Sequence, residues 1–159
     1  MSLGDQFSDK FKEEHASRGT KIGVVLKFFV RDTNPPKEKF FIIIGLTEDE
    51  VSLASVYINS EINMIVNYSS ELRALHIPLL ADGCDFLHHD AYVDCSRLEI
   101  RNRDRIYQDL LNCPEALVGT LSKEQIITIR QKVIGAESIK GKIKKKYCLY
   151  DSIKQSPRK

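Results

Sequence analysis

Apolar positions along the chain follow strand-like patterns over its first two thirds and helical spacing afterwards. Phe7, Phe11 and His15 recur at four-residue steps, and Gly19 stands where such a helix would end, which predicts a short leading helix. Lys21 to Val30 is rich in β-branched and aromatic residues and predicts a strand, with Gly23 marking a bulge or tight bend. Arg31-Asp32-Thr33-Asn34-Pro35-Pro36 has the chemistry of a loop. Phe40 to Leu46 is a continuous apolar run, as expected of a central strand covered on both faces. After a polar turn at Thr47-Glu48-Asp49-Glu50, Val51 to Ile58 alternates like a half-buried strand. Ile62 to Tyr68, Ala74 to Leu79 and Ala91 to Cys95 are shorter strand candidates, the last two separated by the turn Ala81-Asp82-Gly83. Short strands without helix-sized connections favour a curled antiparallel barrel over a βαβ fold.

The period then changes. Asp104 to Leu111 predicts a helix that stops near Pro114. Ser122-Lys123-Glu124-Gln125 is a capping box, and Ile126, Ile129, Val133 and Ile134 beyond it form an apolar stripe at helical spacing. The expected class is α+β, strands packed against C-terminal helices. It divides into a helical extension over 1–19, a barrel domain with its C-terminal helix over 20–137, and a basic extension over 138–159.

Composition fits this picture. A chain of 159 residues matches one ordinary domain, and 42% hydrophobic with 29% charged residues argues against disorder over most of it. The apolar run Phe40 to Leu46 is far too short to cross a bilayer. Asp5, Asp9, Lys10, Lys12, Glu13 and Glu14 interrupt the N-terminal region, so no signal peptide is expected and the setting is read as cytoplasmic. Cys84, Cys95, Cys113 and Cys148 lie far apart and read as reduced thiols. From Ile139 onward stand eight of the 24 Lys and Arg against one of the 22 acids, leaving that tail near +7 and the rest near −5. Such asymmetry fits either a polyanion-binding arm or a solvated terminus.

Few motifs carry chemistry. Cys84, His88, His89, Asp90, Asp94 and Cys95 bring metal-ligand types together, but no zinc spacing appears, and adjacent histidines in an extended segment face opposite ways. A polar turn leading into a strand is the preferred reading, with no metal. There is no G-x-S-x-G nucleophile turn, and the eight glycines form no phosphate loop. In Lys140 to Tyr147, lysines are interleaved with one aromatic, as at a phosphate-contacting surface or a plain solvated face.

Taken in order, these parts resemble the PemK/MazF-like toxin family of type II toxin–antitoxin systems. Lys21-Ile22-Gly23-Val24-Val25-Leu26 is similar to that family's opening strand. Lys39-Phe40-Phe41-Ile42-Ile43-Ile44-Gly45 resembles its apolar strand headed by a basic residue, and Val51 to Ile58 followed by Asn59-Ser60 resembles the next. Asp90 to Leu98 is similar to a later strand, and Val118-Gly119-Thr120-Leu121-Ser122-Lys123-Glu124-Gln125-Ile126 to the Gly-x-Leu-Ser-x-Glu approach to the last helix.

The resemblance implies a small SH3-like antiparallel barrel with C-terminal helices. It also implies a homodimer with an antitoxin peptide as partner, acting on single-stranded RNA without metal or other cofactor. Lys39 and Ser60 would be catalytic, with Ser55 as an alternative hydroxyl, and Lys37, Lys142, Lys144 and Lys145 would contact RNA. Cleavage through the 2′-OH needs a proton acceptor, a proton donor and positive charge at the phosphorane. Glu38, Asp32 and His76 are candidate acceptors. The family's Arg-Pro at the strand head is Lys39-Phe40 here, and lysine gives a point charge where arginine gives a bidentate fork. A non-catalytic domain binding a peptide or protein in the same groove is therefore the alternative.

Overall fold

The computed structural model describes residues 8–30 and 37–151. Its seven strands are β1 (Val24–Val30), β2 (Lys37–Leu46), β3 (Ser52–Asn59), β4 (His76–Leu79), β5 (Ala91–Asp94), β6 (Glu99–Asn102) and β7 (Leu117–Thr120). The helices are α1 (Asp9–Arg18), α2 (Ser70–Arg73), α3 (Arg103–Asn112), α4 (Lys123–Gly135) and α5 (Gly141–Lys146). Every strand pair is antiparallel, in the order β4-β5-β3-β2-β1-β7. Strand β6 shares the edge of β3 with β5. Thus β5 and β6 are one broken strand, since Ile58 faces Val93 while Ser55 faces Glu99. Between those pairs, two residues of β3 stand against the five of 94–98.

Register shifts also occur at Val25/Leu26 and Ile43/Gly45. Such irregularities increase local twist, and the sheet curls into a half-barrel. Phe86, in the β4–β5 connection, reaches the opposite edge of the sheet. A Cβ on Gly119 of β7 would lie 2.9 Å from its ring.

Both faces of the sheet are covered, which explains the uninterrupted apolar run of β2. Ile42, Ile44, Val56, Ile58 and Val93 pack with Ile126, Ile129 and Val133 of α4. Phe41, Ile43, Leu53 and Tyr57 pack on the other face with Ala16 of α1 and Ile106 and Leu110 of α3. The leading helix adds one buried residue, Ala16, to this second core. The Ser122/Gln125 capping box is formed.

Several expectations need correction. Strand β3 is buried on both faces from Leu53 to Ile58, so its alternation separates two cores rather than core from water. Residues 62–68 form a turn-rich loop instead of a strand, because Asn63 captures local backbone N–H groups that a ladder would need. Of the bulge or tight bend expected at Gly23, the structure has the bend: at φ +96° it makes a turn, and the strand begins only after it, at Val24. Strands β6 and β7 were not anticipated. The loop at 31–36 lies outside the described residues, as do Phe7 and the last three cations of the tail.

Candidate functional site

Alternation along β2 and β3 places Lys39 directly opposite Asn59, on the face that carries Phe41 and Tyr57. Here the second core runs out, and charged side chains take over. Lys39 is 9% exposed, donates from Nζ to Asn59 Oδ1, and lies 5.0 Å from the centre of the Tyr57 ring. Arg97, in the break between β5 and β6, lies 5.8 Å from the same ring. Arg101 stacks 4.3 Å over Phe41 and donates to the Tyr57 hydroxyl at 2.9 Å. Three cations therefore surround one buried tyrosine.

Two acids balance them in part. Arg97 Nε is 3.4 Å from Glu99 Oε1 and 4.0 Å from Asp94 Oδ2. Asp94 is itself fixed, accepting from Ser96 N at 2.9 Å and Ser96 Oγ at 2.5 Å. With Lys37 the cluster holds four cations and two acids. Burial lowers the Lys39 ammonium to about 8, helped by Lys37 and Arg97 and opposed by Asp94 and Glu99. An amine with that value can give or take a proton near neutrality, whereas an ordinary lysine serves only as a charge.

The anticipated site residues fare differently. Lys39 is at the centre of the cluster. Ser60 is exposed, one residue beyond the side chain that meets Lys39. Ser55 is fully buried with its hydroxyl donated to Glu99 O at 2.9 Å, so it is closed to substrate. Lys37 is exposed at the start of β2. Lys142 and Lys145 are exposed on α5. Lys144 departs from the expectation: it turns inward, donating to Ile134 O at 2.7 Å and Ala136 O at 2.8 Å at the end of α4. Helix α5 and the segment after it pack with the α4 core, so the basic run does not join the Lys39 cluster.

Of the proposed proton acceptors, Glu38 points to the opposite face and pairs with Lys27 at 3.4 Å. Asp32 lies outside the described residues. His76 is buried behind Asp94, with Nε2 3.0 Å from Asn67 Oδ1 and 3.7 Å from Asp94 Oδ1. Glu99 and Arg97 were missed, although Arg97, Glu99 and Arg101 at two-residue steps mark one face of a strand.

Among the described residues, no group of three or more His, Cys, Asp or Glu side chains is placed to hold a metal. Cys84 and Cys95 are both buried, and burial pushes the Cys95 thiol up to about 12. Clefts of about 430 and 400 Å³ lie elsewhere, one between α4 and Leu149 to Asp151, the other beside Thr20 and Arg103. The first is lined by Lys123, Asp151 and Arg130, whose guanidinium burial shifts downward. An arginine stays charged, however, and this one is engaged by Cys148 O. The Lys39 cluster, whose shifted group can exchange protons, is the better candidate. No helix among the described residues is long and apolar enough to cross a membrane. Compared with known proteins, the chain matches no family model and no curated relative.

Proposed function

We propose that the chain is a PemK/MazF-like SH3-type barrel that binds single-stranded RNA at the Lys39 cluster and cleaves it without a metal. The observation that carries this is the Lys39 amine, brought to about 8 beside Arg97, Asp94 and Glu99. Those groups supply the three needs of 2′-OH transesterification. Glu99 takes the proton of the 2′-OH as that oxygen bonds to phosphorus. Lys39 gives a proton to the 5′-oxygen as the P–O5′ bond breaks. Arg97, with its side chain 57% exposed, steadies the phosphorane oxygens. The products are a 2′,3′-cyclic phosphate and a 5′-hydroxyl. A cytoplasmic homodimer regulated by an antitoxin peptide belongs to the same reading.

One observation favours the alternative of a non-catalytic binding domain: Lys39 already meets Asn59, and Arg97 already meets Glu99. The test is single-turnover cleavage of varied single-stranded RNAs in the presence of a chelator. Wild type should cleave, and Lys39→Ala and Glu99→Gln should each lose about 100-fold or more while remaining folded. Binding without cleavage by wild type selects the alternative, and full cleavage by Lys39→Ala removes this site.

A further inference from the structure

The loop between β3 and α2 exposes four apolar side chains within five residues. Met64 is 58% exposed, Ile65 89%, Val66 56% and Tyr68 77%. Exposing so much apolar surface on one short loop is unfavourable unless something covers it.

The loop is nevertheless built, not loose. Asn63 Oδ1 accepts from the N–H groups of Ile65 at 3.0 Å and Val66 at 3.3 Å. Asn67 donates from both its backbone N and its Nδ2 to Asn63 O, each at 2.9 Å. Arg73 Nη1 reaches the carbonyls of Asn67 and Tyr68, both at 3.3 Å. These bonds hold the backbone while the apolar side chains point outward.

The loop is tied to the charged cluster at two points. It leaves the sheet at Asn59, which accepts from Lys39, and within it, between Val66 and Tyr68, Asn67 bonds His76 beside Asp94. An apolar, partly aromatic surface therefore stands next to a cationic one. A ligand that matches both carries regularly spaced anions with planar apolar groups alongside, as single-stranded nucleic acid does. Duplex would match only the charges, because its bases are stacked inside.

We infer that the loop is a base-binding subsite, on which Tyr68 and the neighbouring Ile65 hold unpaired nucleobases flanking the phosphodiester at Lys39 and Arg97. This rests on the RNA reading above and extends it, since it assigns the choice of flanking bases to a loop outside the reacting groups.

The experiment measures binding of a fluorescent, 2′-O-methylated single-stranded RNA, which cannot be cleaved through its 2′-oxygen, with tripolyphosphate as a base-free competitor. Tyr68→Ala should weaken oligonucleotide binding by about tenfold, as loss of one base stack does, while Tyr68→Phe keeps it. Competition by tripolyphosphate should be the same for all three proteins. If Tyr68→Ala and Ile65→Ser both bind the oligonucleotide like wild type, the subsite is refuted while the RNA reading stands. If wild type binds no oligonucleotide, both fall together. Neutral phospholipid vesicles form a final arm. Vesicle binding abolished by Ile65→Ser, with oligonucleotide affinity unchanged, would assign the loop to a lipid surface and overturn the proposal.

Discussion

The titration of Lys39 tests the electrostatics of the site without assuming any substrate. An ordinary lysine near 10.5 is neutral in about three molecules per ten thousand at pH 7, but one at about 8 is neutral in roughly one in ten. Neutral amine thus rises by about 300-fold, which is the difference between a fixed charge and a group able to exchange protons. Reductive ¹³C-methylation followed by NMR across pH 6–11 reads each lysine separately, and Lys39→Arg identifies its signal. The neighbours give signed controls. Arg97→Ala removes a cation and should move the Lys39 midpoint up, whereas Glu99→Gln removes an anion and should move it down. Stability follows the same linkage. Between about pH 8 and 10.5 the unfolded chain binds more protons at this position than the folded one. Lys39 therefore disfavours folding below pH 8, and that cost is relieved as pH rises through the interval. Stability of wild type relative to Lys39→Met should accordingly improve from pH 7 to pH 10. A Lys39 midpoint above 10, unmoved by either neighbour, would refute both the burial argument and the proton-donor role.

Two further predictions concern the frame that holds the site. Lys144→Ala should cost about 2–4 kcal/mol in urea unfolding, because two charge-assisted bonds to the α4 carbonyl end disappear; Lys144→Met, which keeps the aliphatic volume, should cost less. If both variants unfold like wild type, the inward placement of Lys144 is wrong. Gly45→Ala should lower the melting temperature by about 5–10 °C, since the new Cβ would lie 2.6 Å from Tyr147 O and 2.8 Å from Leu149 Cδ2. An unchanged melting temperature would mean that the C-terminal segment does not lie against β2.

Local chemistry made much of the fold legible. The run at Phe40 to Leu46 is a central strand because only a strand buried on both faces tolerates unbroken apolar residues. The capping box and the stripe through Ile126, Ile129 and Val133 specify α4 because the cap bonds and the helical period both arise within a few residues. Asn63 and Asn67 resisted the same reading, since β-branched neighbours suggested a strand and only the realised side-chain bonds reveal a loop. Lys39 stands out only through the resemblance to a family with a basic residue at the head of an apolar strand; its position alone reads as a solvated strand-end charge. Its companions could not be singled out, because Arg97, Glu99 and Arg101 reach it through the pairing of β3 with β5 and β6, some forty residues later in the chain. The basic run gives the opposite lesson: composition offered Lys144 to solvent, and packing of α5 against the end of α4 turned it inward. Sequence by itself determined periodicity, capping and charge, which depend on neighbours along the chain. Which charges share a face, which are buried and which titrate near neutrality were decided only by tertiary structure, because desolvation and Coulomb interaction depend on distance in space.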